Sequence, residues 1–257
     1  MAEWFAGLKA DFILNFIDKS RWRYLVTGLG NTLQITFYAL LLGVVIGIVI
    51  AIVRSTWDKN SNVMRRGPGR TILGAANMLC KVYLTVIRGT PVLIQLLIIY
   101  YIILESSRNG ILIASISFGI NSGAYVAEII RGGIMSIDPG QMEAGRSLGF
   151  NYIQTMRYIV VPQAFKTVLP SLANEFIVLL KETSISGYVS IQDLAKGGDI
   201  IRGVTYSAFM PLFAVGLIYL VFVMFFTFLV GKLERRLETG KVERGNRKRL
   251  SKGGIKW

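Results

Sequence analysis

The sequence predicts an all-α integral membrane protein. It has five transmembrane helices, an outside N-terminus, a cytoplasmic C-terminus and a short cytoplasmic helix between spans three and four. Three observations carry this. Of the 257 residues 53% are apolar, with a mean hydropathy of +0.51, whereas soluble domains reach about 45–50% only with glycine counted. The apolar residues gather in runs of about 20, the length that crosses a hydrocarbon core at 1.5 Å per residue. The connections between runs alternate in basic content, as the positive-inside rule requires.

Residues 1–27 form an N-terminal segment without the basic start, apolar core and small-residue cleavage site of a signal peptide. Trp4, Phe5, Leu8, Phe12 and Phe16 recur at helical spacing, which reads as an amphipathic interfacial helix; a frayed tail is the alternative. The first span, 28–53, carries Gly43 and Gly47, a small-xxx-small pair suited to close helix packing. Residues 54–81 read as a basic loop with an interfacial helix. The second span, 84–104, begins awkwardly at "RGTP", because Pro91 lacks a backbone donor and starts or kinks a helix. Spans three to five are 111–130, 165–187 and 208–231, the last without any charge. Together, 28–231 make one membrane domain, and 232–257 a basic tail.

On one side the connections hold seven cations: Lys9, Lys19, Arg21, Arg23, Arg108, Lys196 and Arg202. On the other they hold eighteen, ten of them in 232–257. The richer side is cytoplasmic, which puts residues 131–164 there. The net charge of +14 thus reflects membrane anchoring, and no aromatic-interleaved basic patch suggests nucleic acid. The single Cys80 excludes an intrachain disulfide. With no histidine there is no Cys/His metal set and no imidazole catalysis.

Residues 138–164 read DPGQMEAGRSLGFNYIQTMRYIVVPQA. Asp138 and Pro139 start a short helix that Gly149 ends in the role of C′. A second short helix, about 151–158, runs to Pro162. Two such helices held against a membrane domain form a knob that a soluble partner can grip.

Glu143-Ala144, Gly149 six residues after Glu143, Ile159 ten after Gly149 and Pro162 three after Ile159 resemble the EAA motif of ATP-binding-cassette importer permeases. Gly145 stands where that motif has its second alanine, and Val161 where it has leucine. "YLTVIRGTPVLIQLLIIYY" (83–101), "NSGAYVAEIIRGGI" (121–134) and "LLKETS" (179–184) resemble the polar amino acid branch, which includes histidine, glutamine, glutamate and arginine importers. The resemblance implies that Glu143, Ala144, Gly145, Arg146, Gly149 and Pro162 belong to a coupling element that sits in a cleft of a cytoplasmic ATPase. It also implies a complex with two ATP-binding subunits, a second copy or a sister permease, an extracytoplasmic substrate-binding protein and an amino acid substrate. The setting it implies is the bilayer of a bacterial cytoplasmic membrane, which the chain crosses several times. ATP and magnesium would be bound by the partner, since this chain has no G-x-x-x-x-G-K-[ST] loop. No cofactor is expected in the chain itself, and it is not an enzyme.

Polar groups within the spans are candidates for the substrate pathway, because a charge in hydrocarbon costs about 2.5–3.5 kcal/mol on insertion scales. Asn121, Tyr125, Glu128 and Gly132 fall on one stripe of span three, with Asn121 about 15 Å from the outer end. Glu128 can instead pair with Arg131 or Arg88, and Arg88 can meet a substrate carboxylate or, the favoured reading, pack against the coupling region. In span four, Asn174, Glu175, Lys181, Glu182, Thr183 and Ser184 offer an anionic partner for an amine and donors for a carboxylate. Lys181 and Glu182 as a water-exposed helix-end ion pair is the alternative. The rival functions are a permease for another small solute, such as methionine or an oxyanion, and a passive channel or membrane scaffold.

Overall fold

A computed structural model describes residues 2–61 and 64–252, with the side chains of 7–61 and 64–237. Trp4, Phe5 and the tail beyond 237 lie outside the described side chains. Among the described residues every regular element is helical. The α-helices are α1 (Ala2–Phe12), α2 (Trp22–Asn60), α3 (Pro68–Gly89), α4 (Val92–Ile98), α5 (Gly110–Met135), α6 (Pro139–Ser147), α7 (Tyr152–Thr155), α8 (Val161–Glu182), α9 (Leu194–Thr205) and α10 (Phe209–Lys252). Of these, α2, α3, α5 and α10 are long and apolar enough to cross a membrane by length and composition.

The core is the α2–α5 pair. The buried positions of α2 (Leu25, Gly28, Thr32, Ile35, Ala39, Gly43, Gly47, Ile50) recur every three or four residues and so form one stripe. A Cβ on Gly43 would meet Ser122 Oγ at 3.0 Å, and one on Gly47 would clash with Val126. The reverse holds too: a Cβ on Gly119 or Gly123 would meet Leu42 or Ile46 at 2.8 Å. Small residues on both helices let the backbones approach this closely. The apolar window of α5 is 67% buried and that of α10 only 6%, so α5 is central and α10 peripheral.

Two expected elements are corrected. The segment 54–81 is mostly helix, with the connection confined to the stretch between α2, which runs to Asn60, and α3, a continuous 22-residue helix from Pro68. One face of α3 packs through Asn77 and Leu84, while Ile72, Met78, Leu79, Val82 and Val86 are exposed. Span 84–104 is not one helix either. Thr90 and Pro91 are extended (φ −120°, ψ 146° and φ −63°, ψ 135°), since proline cannot donate and biases its predecessor out of the α region. A short helix, α4, and a π-turn at Ile99–Ile103 follow. Span 165–187 becomes α8, which begins four residues earlier at Val161 and ends at Glu182, where a 3₁₀ turn (Thr183–Val189) takes over.

The N-terminal segment does not float. Phe16 is buried with Leu25, Leu194, Ile201 and Val215. The side chain of Asn15 donates to Ser207 Oγ (3.2 Å) and accepts from Thr205 Oγ1 (2.8 Å), tying the segment to the α9–α10 turn.

Candidate functional site

The knob between α5 and α8 is built by local rules. Asp138 N-caps α6, its Oδ1 accepting from Gly140 N–H at 2.8 Å, with Pro139 in the first turn. At the other end Gly149 takes φ 80°. Gly149 N–H donates to Arg146 C=O (2.9 Å) and Phe150 N–H to Gly145 C=O (3.0 Å). These are the 5→2 and 6→1 bonds of a Schellman motif, with Gly149 at C′ as the sequence suggested. Asn151 and Gln154 then form a reciprocal capping box at 2.9 Å each way.

Pro162 does not close this run. The chain passes from α7 through a π-turn at Met156–Val160 directly into α8, with Pro162 in its first turn. Because Val161 N–H reaches back to Met156 C=O, the register slips at the point where proline would leave a carbonyl without a donor. The knob rests on Ile134, Val160 and Ala164, with Met142 and Met156 against them. Gln163 Nε2 donates to Gln141 Oε1 at 3.1 Å, joining α8 to α6.

Of the predicted coupling residues, Glu143, Ala144, Arg146, Gly149 and Pro162 are exposed. Gly145 is buried: a Cβ there would meet Thr155 Cγ2 at 2.5 Å and Oγ1 at 2.7 Å. It is a packing position between α6 and α7. Thr155, which sequence reasoning passed over, is its counterpart, fully buried and donating to Asn151 C=O at 3.0 Å.

The polar groups of the spans form separate clusters. Asn121 is 3% exposed, and its Nδ2 donates to Gln95 Oε1 at 2.9 Å. Gln95 Nε2 in turn donates to Ile87 C=O (2.7 Å) and Thr90 Oγ1 (2.8 Å). Asn121 thus holds the group that satisfies the broken end of α3. Next to it, Ser122 donates to Glu175 Oε1 at 2.8 Å, and both are buried. Tyr125 is 38% exposed under the Arg88 guanidinium, 5.5 Å away. Glu128 pairs with Arg131 at 3.0 Å, and Arg131 reaches Asp58 of α2 at 3.2 Å. Asn174 and Lys181 are exposed and Glu182 half-buried. Thr183 is buried and donates to Leu180 C=O (2.9 Å). Ser184 lines a cavity of about 290 Å³ with Gly187, Tyr188, Lys196 and Asp199. The stripe of α5 therefore divides, Asn121 facing α4 and Glu128 facing the α2 end. Gln95, Ser122 and Asp58 were missed; Gln95 had a signal, an amide four residues past Pro91 in an apolar run.

Asp193 was missed as well. It is fully buried, its Oδ1 accepting from Lys196 N–H (2.6 Å) and its Oδ2 from Gly187 N–H (3.3 Å), which fixes α9 to the 3₁₀ turn. Burial pushes its carboxyl up to about 6, against the pull of those donors.

A putative glutamine transport system permease protein of Rickettsia felis is 34% identical over 230 residues, covering 88% of this chain and 98% of that protein. An arginine transport system permease protein of Bacillus subtilis is 34% identical, covering 84% of this chain and 93% of its own length. The crystal structure of an amino acid ABC transporter with histidines superposes with a TM-score of 0.74 at 39% identity, over 86% of this chain and 98% of that one. Residues 43–239 match the family of binding-protein-dependent transport system inner membrane components. That match takes in α5, the knob and α8, and the chain belongs to this family.

Proposed function

We propose that this chain is the membrane-spanning permease subunit of an ATP-driven importer of polar amino acids, coupled to a separate ATPase through residues 138–162. The observation that carries the reading is the knob: a Schellman-ended helix, exposed on one side and braced on the other, in a family member without a phosphate loop. Relatives named for glutamine and arginine transport support the substrate class. The spans are α2, α3, α5, α8 and α10, with the N-terminus outside and the knob and the C-terminal tail in the cytoplasm, as the cation count favours. Two ATP-binding subunits, a second permease copy or sister permease and an extracytoplasmic binding protein complete the assembly, in a bacterial cytoplasmic membrane.

In this reading the substrate passes close to the buried Ser122–Glu175 pair, with Asn121, Tyr125, Glu128, Asn174, Lys181, Glu182, Thr183 and Ser184 along the pathway. A buried carboxylate within a membrane domain is costly unless it serves a partner or a cavity. Glu175 offers an amine one free oxygen after Ser122 takes the other.

The test is reconstitution in proteoliposomes with the ATP-binding subunit and the binding protein. ATP hydrolysis should rise with glutamine, glutamate, arginine or histidine. Stimulation by methionine or an oxyanion alone refutes the substrate class, and solute flux without any ATPase refutes the permease reading. In a Cys80→Ser background, Ser147→Cys should label only from the cytoplasm and Asn109→Cys only from outside; the opposite pattern refutes the orientation.

A further inference from the structure

α3 carries a polar stripe of its own. Lys81, Thr85 and Arg88 are spaced by four and three, so they share one side of the helix, and all three are exposed. Of the exposed apolar residues, Leu79, Val82 and Val86 lie about a third of a turn round the helix. Arg88 is near the end of α3 but not the end of the crossing. Beyond it Gln95 is bonded to Asn121, and Leu96 is buried with Ala114 and Phe118, so α4 continues beside the Gly110 half of α5. The Arg88 guanidinium lies 5.5 Å from the Tyr125 ring. Tyr125 is about 22 Å along α5 from Gly110 and about 15 Å from Met135, which is mid-membrane.

A guanidinium at that depth is costly unless it faces a partner or a water-filled cavity. Among the described residues neither Arg88 nor Lys81 forms an ion pair. Glu128, one turn along α5 from Tyr125, is held by Arg131. The backbone beside Arg88 points the same way. Thr90 and Pro91 are extended and exposed, and a Cβ on Gly89 would meet nothing within 4 Å. Non-helical backbone at membrane depth is tolerated where protein buries it or where it lines such a cavity, and within this chain it is not buried.

We propose that the Lys81–Thr85–Arg88 stripe is the wall of the pathway that receives the α-carboxylate of the amino acid, with Arg88 as its direct partner. The proposal rests on the importer reading above and supplies an anion site to complement Glu175, which serves the amine. Where the sequence favoured packing against the coupling region, the guanidinium stacks on Tyr125 instead. Stacking on one face leaves the edge of the fork open for two parallel bonds to a carboxylate. Lys81, about 10 Å further toward Pro68, places a second cation along the same route.

The experiment uses the full chain with its ATP-binding subunit in lipid nanodiscs, without the binding protein. It is titrated with L-arginine, L-histidine, L-glutamine and L-glutamate, each paired with its α-amide. The wild type should bind at least one free acid about tenfold or more tighter than the matching amide. Arg88→Gln should lose that preference, and Arg88→Lys should keep part of it, since a point charge remains without the fork. Tyr125→Phe keeps the stacked ring and should match wild type. Arg88 is exposed, so thermal unfolding and assembly should be unchanged in every variant. A wild type that does not distinguish acid from amide, or an Arg88→Gln that distinguishes them as well as wild type does, overturns the assignment. Dissociation of paired permeases on Arg88→Gln also overturns it, because the arginine then belongs to a contact between copies. Binding-protein-dependent uptake in proteoliposomes separates the two readings. If the wild type takes up an amino acid and Arg88→Gln does so equally well, only the Arg88 assignment falls; if the wild type takes up none, the importer reading falls with it.

Discussion

Gly145→Ala restores the residue that the EAA pattern would have at this position, yet in this chain it should be harmful. The added methyl would sit 2.5 Å from Thr155 Cγ2, 2.7 Å from Oγ1 and 3.1 Å from Cβ. Thr155 cannot turn aside cheaply, because it is fully buried and its hydroxyl is bonded to Asn151 C=O. Overpacking of this kind costs about 1–3 kcal/mol, whereas alanine regains at most about 1 kcal/mol of helix propensity. With contacts this short the cost lies in the upper part of that range, so strain wins by about 1–2 kcal/mol, which for a chain of this size is a fall in Tm of about 2–8 °C. The strain parts α6 from α7, so substrate-stimulated ATP hydrolysis should fall while membrane insertion stays normal. Thr155→Ala removes both of the closest atoms. The double variant should therefore be better than the two single losses predict, with a coupling of about 1–2 kcal/mol in a double-mutant cycle followed by thermal unfolding. Effects that add to within about 0.5 kcal/mol, or a Gly145→Ala protein as stable as wild type, would show that Gly145 is not a packing position.

The other predictions are brief. Gly149→Val places a β-branched side chain at φ 80° and should cost at least the left-handed penalty of about 1–2 kcal/mol; retained ATPase binding on purification would contradict it. Asn121→Leu leaves Gln95 Oε1 buried without its donor, at about 1–3 kcal/mol, and should abolish uptake with assembly intact; normal uptake would move the substrate pathway away from α5. For Asp193, a folded-state carboxyl near 6 against an ordinary 3.8 means the folded form holds the proton more tightly, so this group's contribution to stability falls as pH rises from about 4 to 6. The loss is of order 3 kcal/mol, so the Tm of Asp193→Asn relative to wild type should rise across that window, and a flat difference would refute the buried-carboxylate account.

What the sequence made legible is what local chemistry decides. The knob needed only Asp138, Pro139 and Gly149, because caps and a left-handed C′ act within a few residues. The glycine pair of α2 was visible from its four-residue spacing, and its partners on α5 could be looked for in the same way. The rest depended on tertiary context. Lys81 and Arg88 hid α3, since a basic helix with one packed face reads like an interfacial segment until its partner is known. Pro91 announced a break, but only Gln95 bonded to Ile87 and Thr90 shows that the break is stabilised rather than a kink in one span. Asn121 looked like a free mid-membrane amide because Gln95, 26 residues away, cannot be seen from span three. Gly145 read as a mild departure from a motif, and only the position of Thr155 gives it a reason.

The same contacts bear on how a pull at the knob would reach the pathway. Between Gly43 and Gly47 on α2, and Gly119 and Gly123 on α5, there is no room for a Cβ on either side. Where the two helices approach the knob, Arg131 links Asp58 to Glu128. Sliding α2 along α5 would drive each glycine under a neighbouring side chain and break that pair, so the two helices should move as one. α8 is joined to α5 through Ser122–Glu175, through the cluster of Ile134, Val160 and Ala164, and through an equally close approach, since a Cβ on Gly133 would clash with Val168 Cγ2; Pro170 lies inside α8. The knob is continuous with both, following α5 and entering α8 across a π-turn. A displacement of the knob therefore meets close packing on both arms, and the place where α8 can bend is Pro170, which has no amide hydrogen to donate.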